Sequence, residues 1–171
     1  MIKEGDNMEK IGLVVCDIFG TLTSYENREV LLSDFALALE DLRVKEELDK
    51  IIFSLSTSDH RISILKTYLE ELKPYLGPNI ILDKQYTYDT YFDSNLKELG
   101  FSSSSKSLKI VKQVQDLKTN YEVSLVIFID DSINDYIIEL LKKDLEGIKV
   151  YGLIPKPREI SGTIIAIKEL L

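Results

Sequence analysis

The sequence predicts an α/β protein in which a mostly parallel five-stranded sheet lies between two layers of helices. Five short apolar runs predict the strands, and they occupy residues 11–16, 51–56, 79–82, 124–129 and 148–154. The runs are nearly continuous in apolar residues, which is typical of parallel strands covered on both faces. Longer segments of helical spacing separate them. This alternation predicts right-handed crossovers and a Rossmann-like three-layer sandwich without a sizeable second domain.

The longer segments carry apolar residues at steps of three or four positions, which predicts amphipathic helices. These helices are predicted within residues 30–42, 62–72, 108–117, 133–147 and 164–171. The serine run 102–105 is predicted to be a loop that caps the next helix. Segment 85–93, which holds three tyrosines and a phenylalanine, shows no clear period. It is predicted to be an ordered surface loop whose rings pack on the domain, with a partner-binding patch as the alternative.

The length and composition of the chain limit the classes of protein to which it can belong. With 171 residues, residues 1–171 are predicted to form one domain with a flexible N-terminus over 1–9. The single cysteine, Cys16, indicates a reduced, cytoplasmic protein. No signal peptide and no apolar run of about 18 residues is evident, so we expect no membrane association. The formal net charge of −8 disfavours general nucleic-acid binding.

Polar residues follow the apolar runs where strands are predicted to end. Asp17 follows the first run, Thr57 the second and the pair Asp130–Asp131 the fourth. Lys106 lies at the start of the helix that leads to the fourth run, and Asp135 follows the acidic pair by one helical turn. Because ligands of open α/β sheets bind beyond the carboxyl ends of the strands, we expect these groups to converge at one edge.

Clustered carboxylates repel one another unless a cation lies among them, and Mg²⁺ prefers oxygen ligands. Such a cation would leave one oxygen of Asp17 able to attack the phosphorus of a phosphate ester. Thr57 and Lys106 would then bind the phosphoryl oxygens. Gly20 allows a sharp turn, so that the backbone at Gly20 and Thr21 can present N–H groups to the phosphate. The alternative for an acidic pair after a strand is a turn or a helix cap.

Two strings resemble signatures of the haloacid dehalogenase (HAD) superfamily. VVCDIFGTLT, at 14–23, is similar to the first signature, a strand that ends in Asp-x-Asp-Gly-Thr. VIFIDDSIND, at 126–135, is similar to the fourth, an apolar strand that ends in an acidic pair. The order of the acidic groups and the lysine along the chain argues against a response-regulator receiver domain, in which the acidic pair follows the first strand and the lysine follows the last.

The resemblance implies a Mg²⁺-dependent phosphatase-like hydrolase that forms an aspartyl-phosphate at Asp17. It implies that the phosphate contacts Thr57, or Ser56 one residue earlier, and Lys106, or Lys109 as the alternative. The implied metal ligands are Asp17, the backbone carbonyl of Phe19, Asp130, Asp131 and Asp135.

Phe19 departs from the family pattern. The family's phosphatases have an aspartate at this position, which protonates the leaving group and then activates water. A phenyl ring can do neither, so we expect weak or unusual activity in which acyl and aryl phosphates are cleaved far better than alkyl esters. The alternatives are a non-catalytic binding or regulatory protein and, third, a dehalogenase-type hydrolase, which needs no Mg²⁺. Tyr25 or Glu26 is a weaker candidate for a replacement acid.

The segments from Asp17 to Thr57 and from Thr57 to Lys106 have no room for the cap domain that many family members carry. A capless member is expected to act on a phosphorylated macromolecule, or on a phosphorylated small molecule with a neighbouring subunit of a homo-oligomer as the lid. His60 and Arg61 are predicted to lie on a solvated helical turn, with anion binding as the alternative.

Overall fold

The computed structural model describes residues 8–24, 26–56, 62–89 and 103–171. Some of the sequence predictions fall outside these ranges. They are the predictions for residues 1–7, Tyr25, Thr57, His60, Arg61 and residues 90–93.

The described residues form a five-stranded, entirely parallel sheet with the strand order β3-β2-β1-β4-β5. The strands are β1 Lys10–Cys16, β2 Lys50–Leu55, β3 Ile80–Leu82, β4 Glu122–Ile129 and β5 Lys149–Leu153. Helices cover both faces of the sheet, and the described residues contain no large additional domain. The predicted α/β three-layer fold is therefore confirmed.

The helices are α1 Arg28–Lys45, α2 Ile62–Leu72, α3 Lys84–Asp89, α4 Ser103–Leu117, α5 Asp135–Asp144 and α6 Ile160–Lys168, with a 3₁₀ turn at Lys73–Tyr75. None of the helices in the described ranges is both long and apolar enough to cross a bilayer.

Two hydrophobic clusters lie on the opposite faces of the sheet. Successive residues of a strand point to opposite faces, and β1 divides accordingly, with Leu13 and Val15 in one cluster and Val14 and Cys16 in the other. Helices α1, α2 and α6 cover the face of Val14 and Cys16, whereas α4 and α5 cover the face of Leu13 and Val15. Consecutive residues of β1 are therefore apolar because both faces of the strand are buried.

The structure corrects the prediction of two loops. The serines at 103–105 form the first turn of α4 rather than a loop. Residues 84–89, which include the start of the aromatic segment, form α3. The side chain of Tyr86 is nevertheless buried, and its hydroxyl hydrogen-bonds Asp116 of α4, so that this ring packs on the domain as predicted.

The core-facing side of α4 also differs from the prediction. Leu108, with which the predicted apolar spacing of this helix begins, is 44% exposed, whereas Ile110 and Val114 are fully buried. Beside them the helix buries four polar residues: Lys106, Ser107, Lys109 and Gln113. The spacing of apolar residues cannot predict a helix face that buries polar residues, because only the apolar positions enter such a prediction.

Candidate functional site

The candidate site lies at the carboxyl ends of β1 and β4, the two central strands that pair in parallel. The register places Cys16 opposite Ile129, and the backbone N–H of Asp17 donates to the carbonyl of Ile129 at 2.9 Å. The residues that follow these strands, Asp17 and Asp130, are therefore neighbours. Parallel pairing brings together two carboxylates that are far apart in the chain.

Three carboxylates form what we call the carboxylate cluster: Asp17, Asp130 and Asp131. One oxygen of each lies within 4.8 Å of the others. Asp130 is fully buried and Asp17 is 8% exposed. These spacings and hard oxygen donors fit a divalent cation such as Mg²⁺. Asp135 is exposed in the first turn of α5 and is not among the clustered carboxylates.

Lys106 on α4 contacts two members of the cluster. Its Nζ lies 2.7 Å from Asp130 Oδ2 and 3.6 Å from Asp17 Oδ1, and its side chain is buried. The backbone N–H and hydroxyl of Ser132 donate to the other Asp130 oxygen at 2.9 and 2.7 Å. Burial raises the pKa of Asp130, but Lys106 and Ser132 outweigh it, so the pKa lies below its ordinary value. Asp130 is thus held as a carboxylate.

Lys109 lies one helical turn further along α4 and contacts a different group. Its Nζ donates to the backbone carbonyl of Leu55, at the end of β2, at 3.3 Å. Burial lowers the pKa of Lys109 to about 7, against an opposing effect of Asp83. The lysine that the geometry brings to the carboxylates is therefore Lys106, and the alternative, Lys109, supports the neighbouring strand end.

Gly20 packs directly against the cluster. Its φ of +75° lies in the left-handed region, and a Cβ atom at this position would lie 2.4 Å from Asp131 Oδ2. A side chain at Gly20 would both strain the backbone and displace this carboxylate. The neighbouring side chains differ, because Thr21 is fully buried whereas Phe19 is 47% exposed. The phenyl ring is thus accessible two residues after Asp17.

The end of β2 contributes a hydroxyl beside the cluster. The backbone N–H of Ser56 donates to the carbonyl of Cys16 at 2.8 Å, which places Ser56 next to Asp17. Its side chain is fully buried, and its hydroxyl has no hydrogen-bond partner among the described residues. A buried hydroxyl without a partner is unfavourable unless a ligand or water satisfies it. Ser56, the alternative to Thr57, therefore has a donor available at the site.

The sequence argument missed Arg158, which lies in the loop between β5 and α6. Its Nε donates to Asp131 Oδ2 at 2.9 Å, and its Nη2 donates to the same oxygen. The signal was present, because Arg158 follows the fifth apolar run and the ends of parallel strands share one edge.

The site therefore contains three carboxylates and two protein cations. Lys106 neutralises part of the charge of Asp17 and Asp130, and Arg158 pairs with Asp131. One negative charge remains in excess, which favours a further cation.

Comparison of the chain with protein-family models, with curated proteins and with solved structures finds no match.

Proposed function

We propose that the protein is a HAD-like, Mg²⁺-dependent hydrolase that acts on a phosphorylated substrate through an aspartyl-phosphate at Asp17. The observation that carries this proposal is the position of Lys106, whose Nζ contacts Asp130 and Asp17 at the edge where three carboxylates meet. A buried lysine beside a carboxylate nucleophile offers positive charge to an incoming phosphoryl group.

Mg²⁺ would be held by Asp17 and Asp131, with the backbone carbonyl of Phe19 as a third ligand and Asp130 in support. When bound, it would supply positive charge that offsets the repulsion between Asp17 and the phosphate. Asp135 belongs to this ligand set only by resemblance, since it lies outside the carboxylate cluster.

In the first step an Asp17 oxygen attacks phosphorus, and the bond to the leaving group breaks with its electron pair on the leaving oxygen. Lys106 and the Ser56 or Thr57 hydroxyl would stabilise the phosphoryl oxygens. Water then attacks the phosphorus of the aspartyl-phosphate and releases inorganic phosphate, which regenerates the Asp17 carboxylate. Phe19 delivers no proton in either step. The substrate must therefore have an acidic leaving group, as acyl and aryl phosphates do.

The test is hydrolysis of acetyl phosphate, para-nitrophenyl phosphate and an alkyl phosphate by the purified protein, with Mg²⁺ or EDTA. We expect Mg²⁺-dependent cleavage of the first two, a rate for the alkyl ester lower by about 10²-fold or more, and loss of activity in Asp17→Asn. Equal rates for aryl and alkyl esters would overturn the role given to Phe19. Activity that persists in Asp17→Asn would overturn the mechanism, and phosphate hydrolysis that persists in EDTA would overturn its dependence on Mg²⁺. Release of halide from a haloacid in EDTA would favour the dehalogenase-type alternative.

The second candidate is a non-catalytic binding protein that keeps the phosphate site. Two observations favour it: the exposed Phe19 in place of the acid, and the pairing of Asp131 with Arg158. Phe19→Asp distinguishes the two candidates. If the wild type is inert and this variant turns over alkyl phosphates, the native protein is a binding module. If the wild type cleaves aryl phosphates, Phe19→Asp is expected to extend activity to alkyl esters by about 10²–10⁴ in rate.

We further propose a cytoplasmic location, which is supported by the buried single thiol of Cys16, whose pKa is raised by burial and by Asp17 and Asp130. The proposed partner is a phosphorylated small molecule or macromolecule, with a homo-oligomer as a further possibility and without general nucleic-acid binding.

A further inference from the structure

Arg158 brings a guanidinium to the mouth of the site. Its side chain is 76% exposed, yet it reaches a carboxylate, Asp131, whose side chain is only 10% exposed. Ordinary surface ion pairs join two solvated side chains and contribute little. Here one partner belongs to the carboxylate cluster, while most of the Arg158 side chain remains exposed to solvent. Arg158 can therefore contact a ligand that enters the site from solvent.

The loop that carries Arg158 is attached to the loop after β1, independently of the ion pair. The N–H of Ile160 donates to the carbonyl of Thr23 at 2.9 Å, and the hydroxyl of Thr163 donates to the carbonyl of Thr21 at 2.6 Å. Gly162 of α6 packs against the loop that carries Arg158 itself, because a Cβ atom there would clash with the carbonyl oxygen of Pro157. The backbone of Arg158 is thus held beside the residues that follow Asp17.

Asp131 contacts both Arg158 and the loop that follows β1. Gly20, next to the exposed ring of Phe19, packs on the same Asp131 oxygen to which Arg158 donates. A leaving group that extends outward from Asp17 would meet an aromatic ring and a cation. In a chain with a net charge of −8, a cation at this position offsets the repulsion that an anionic substrate would otherwise meet.

We propose that Arg158 is a specificity-determining residue that binds a second anionic group, such as a carboxylate, on the leaving group of the phosphorylated substrate. This inference rests on the proposed function, because it requires the phosphoryl group to bind between Asp17 and Lys106. The planar guanidinium offers paired donors that match a carboxylate, which a lysine cannot reproduce. The substrate class is then an acyl or aryl phosphate that carries a further negative charge.

The test compares two non-hydrolysable probes, benzylphosphonate and 4-carboxybenzylphosphonate, by isothermal titration calorimetry in the presence of Mg²⁺. We expect the wild type to bind the carboxylated probe about tenfold more tightly. In Arg158→Gln this preference should fall to about twofold or less, while benzylphosphonate still binds. Arg158→Lys should retain only part of the preference, because the paired donors are lost.

Lys156→Gln is the matched control, since it removes the same charge from an exposed position of the same loop. It should keep the preference for the carboxylated probe. If benzylphosphonate binds but the wild type shows no preference, or if the preference survives in Arg158→Gln, the role of Arg158 is overturned and the phosphate site stands. If neither benzylphosphonate nor inorganic phosphate binds, the proposed function itself is overturned, and the role of Arg158 with it.

Discussion

Lys106 and Lys109 lie one turn apart on α4, both buried, in two opposite kinds of surroundings. Lys106 faces the carboxylate cluster, with Nζ 2.7 Å from Asp130 Oδ2. Lys109 donates to the backbone carbonyl of Leu55, and burial lowers its pKa to about 7. The difference teaches that burial alone does not decide what a lysine does. Lys106 contacts two carboxylates, whereas Lys109 contacts a backbone carbonyl, and burial outweighs the effect of Asp83 on its pKa.

The surroundings of Lys109 form a region that we call the β2 polar pocket: Ser54, Ser56, Thr87, Lys109 and Gln113, all of them buried. Within it the hydroxyl of Ser56 and the side-chain oxygen of Gln113 have no partner among the described residues. In the carboxylate cluster, by contrast, both oxygens of Asp130 accept hydrogen bonds. Asp130 is therefore fully hydrogen-bonded, whereas two groups of the pocket retain unused hydrogen-bonding capacity.

The largest expected effect comes from Lys106→Met. It leaves the fully buried Asp130 without its cation, and breaking a buried pair in this way costs about 3–5 kcal/mol of unfolding free energy. Urea denaturation monitored by circular dichroism measures the loss. Lys118→Met, at an exposed position just after α4, is the control and should change stability by less than about 0.5 kcal/mol. A loss below about 1 kcal/mol in Lys106→Met would contradict the assignment of this pair.

Lys109→Met should change how stability depends on pH. The folded-state pKa of about 7 lies below the ordinary value of 10.5, so the unfolded chain binds more protons between these values. The wild type should therefore gain stability relative to Lys109→Met as pH rises from about 7 towards 9, by about 1 kcal/mol per pH unit. Below pH 7 both states are protonated, and the difference should become constant.

Urea titrations of both proteins at several pH values between 6 and 9 measure this slope. Lys118→Met again serves as the control, and its difference from the wild type should not vary over the same range. A constant difference between the wild type and Lys109→Met would show that Lys109 titrates normally in the folded protein.

Ser56→Ala separates a ligand-binding role from a structural one. The hydroxyl has no partner among the described residues, so its removal should change the unfolding free energy by less than about 1 kcal/mol. The affinity for inorganic phosphate in the presence of Mg²⁺ should fall about tenfold, because a hydrogen bond to a charged group is lost. Ser54→Ala is the matched control, since the Ser54 hydroxyl already pairs with Thr87. Unchanged phosphate affinity in Ser56→Ala would mean that Ser56 does not bind the phosphate and that Thr57 is the remaining candidate.

Arg158→Gln should strengthen Mg²⁺ binding about threefold to tenfold. In the wild type the guanidinium pairs with Asp131 and repels a cation that binds the same carboxylate. In a partly solvated site this repulsion weakens the binding of the cation by about 1 kcal/mol. Isothermal titration calorimetry with MgCl₂ measures the change, and Lys156→Gln controls for net charge. Equal or weaker Mg²⁺ binding in Arg158→Gln would mean that Arg158 does not compete for Asp131.

Several features of the site could be predicted from local sequence. Asp17 and Asp130 directly follow buried strands, and parallel pairing brings such positions together. Gly20 has the positive φ for which glycine was expected. Asp135 illustrates the limit of this reasoning, because its spacing from the acidic pair suggested a further ligand, whereas the first turn of α5 leaves it exposed.

The sequence by itself determined the alternation of strands and helices and the parallel sheet, because strands buried on both faces must be continuously apolar. It also determined which carboxylates follow the central strands. Only the tertiary structure decided that Lys106 rather than Lys109 faces the carboxylates, since this depends on how α4 is rotated against the sheet. It likewise decided that Arg158 reaches Asp131. The position of Arg158 after the fifth apolar run indicates only the edge of the sheet, whereas the contact depends on how the loop before α6 packs.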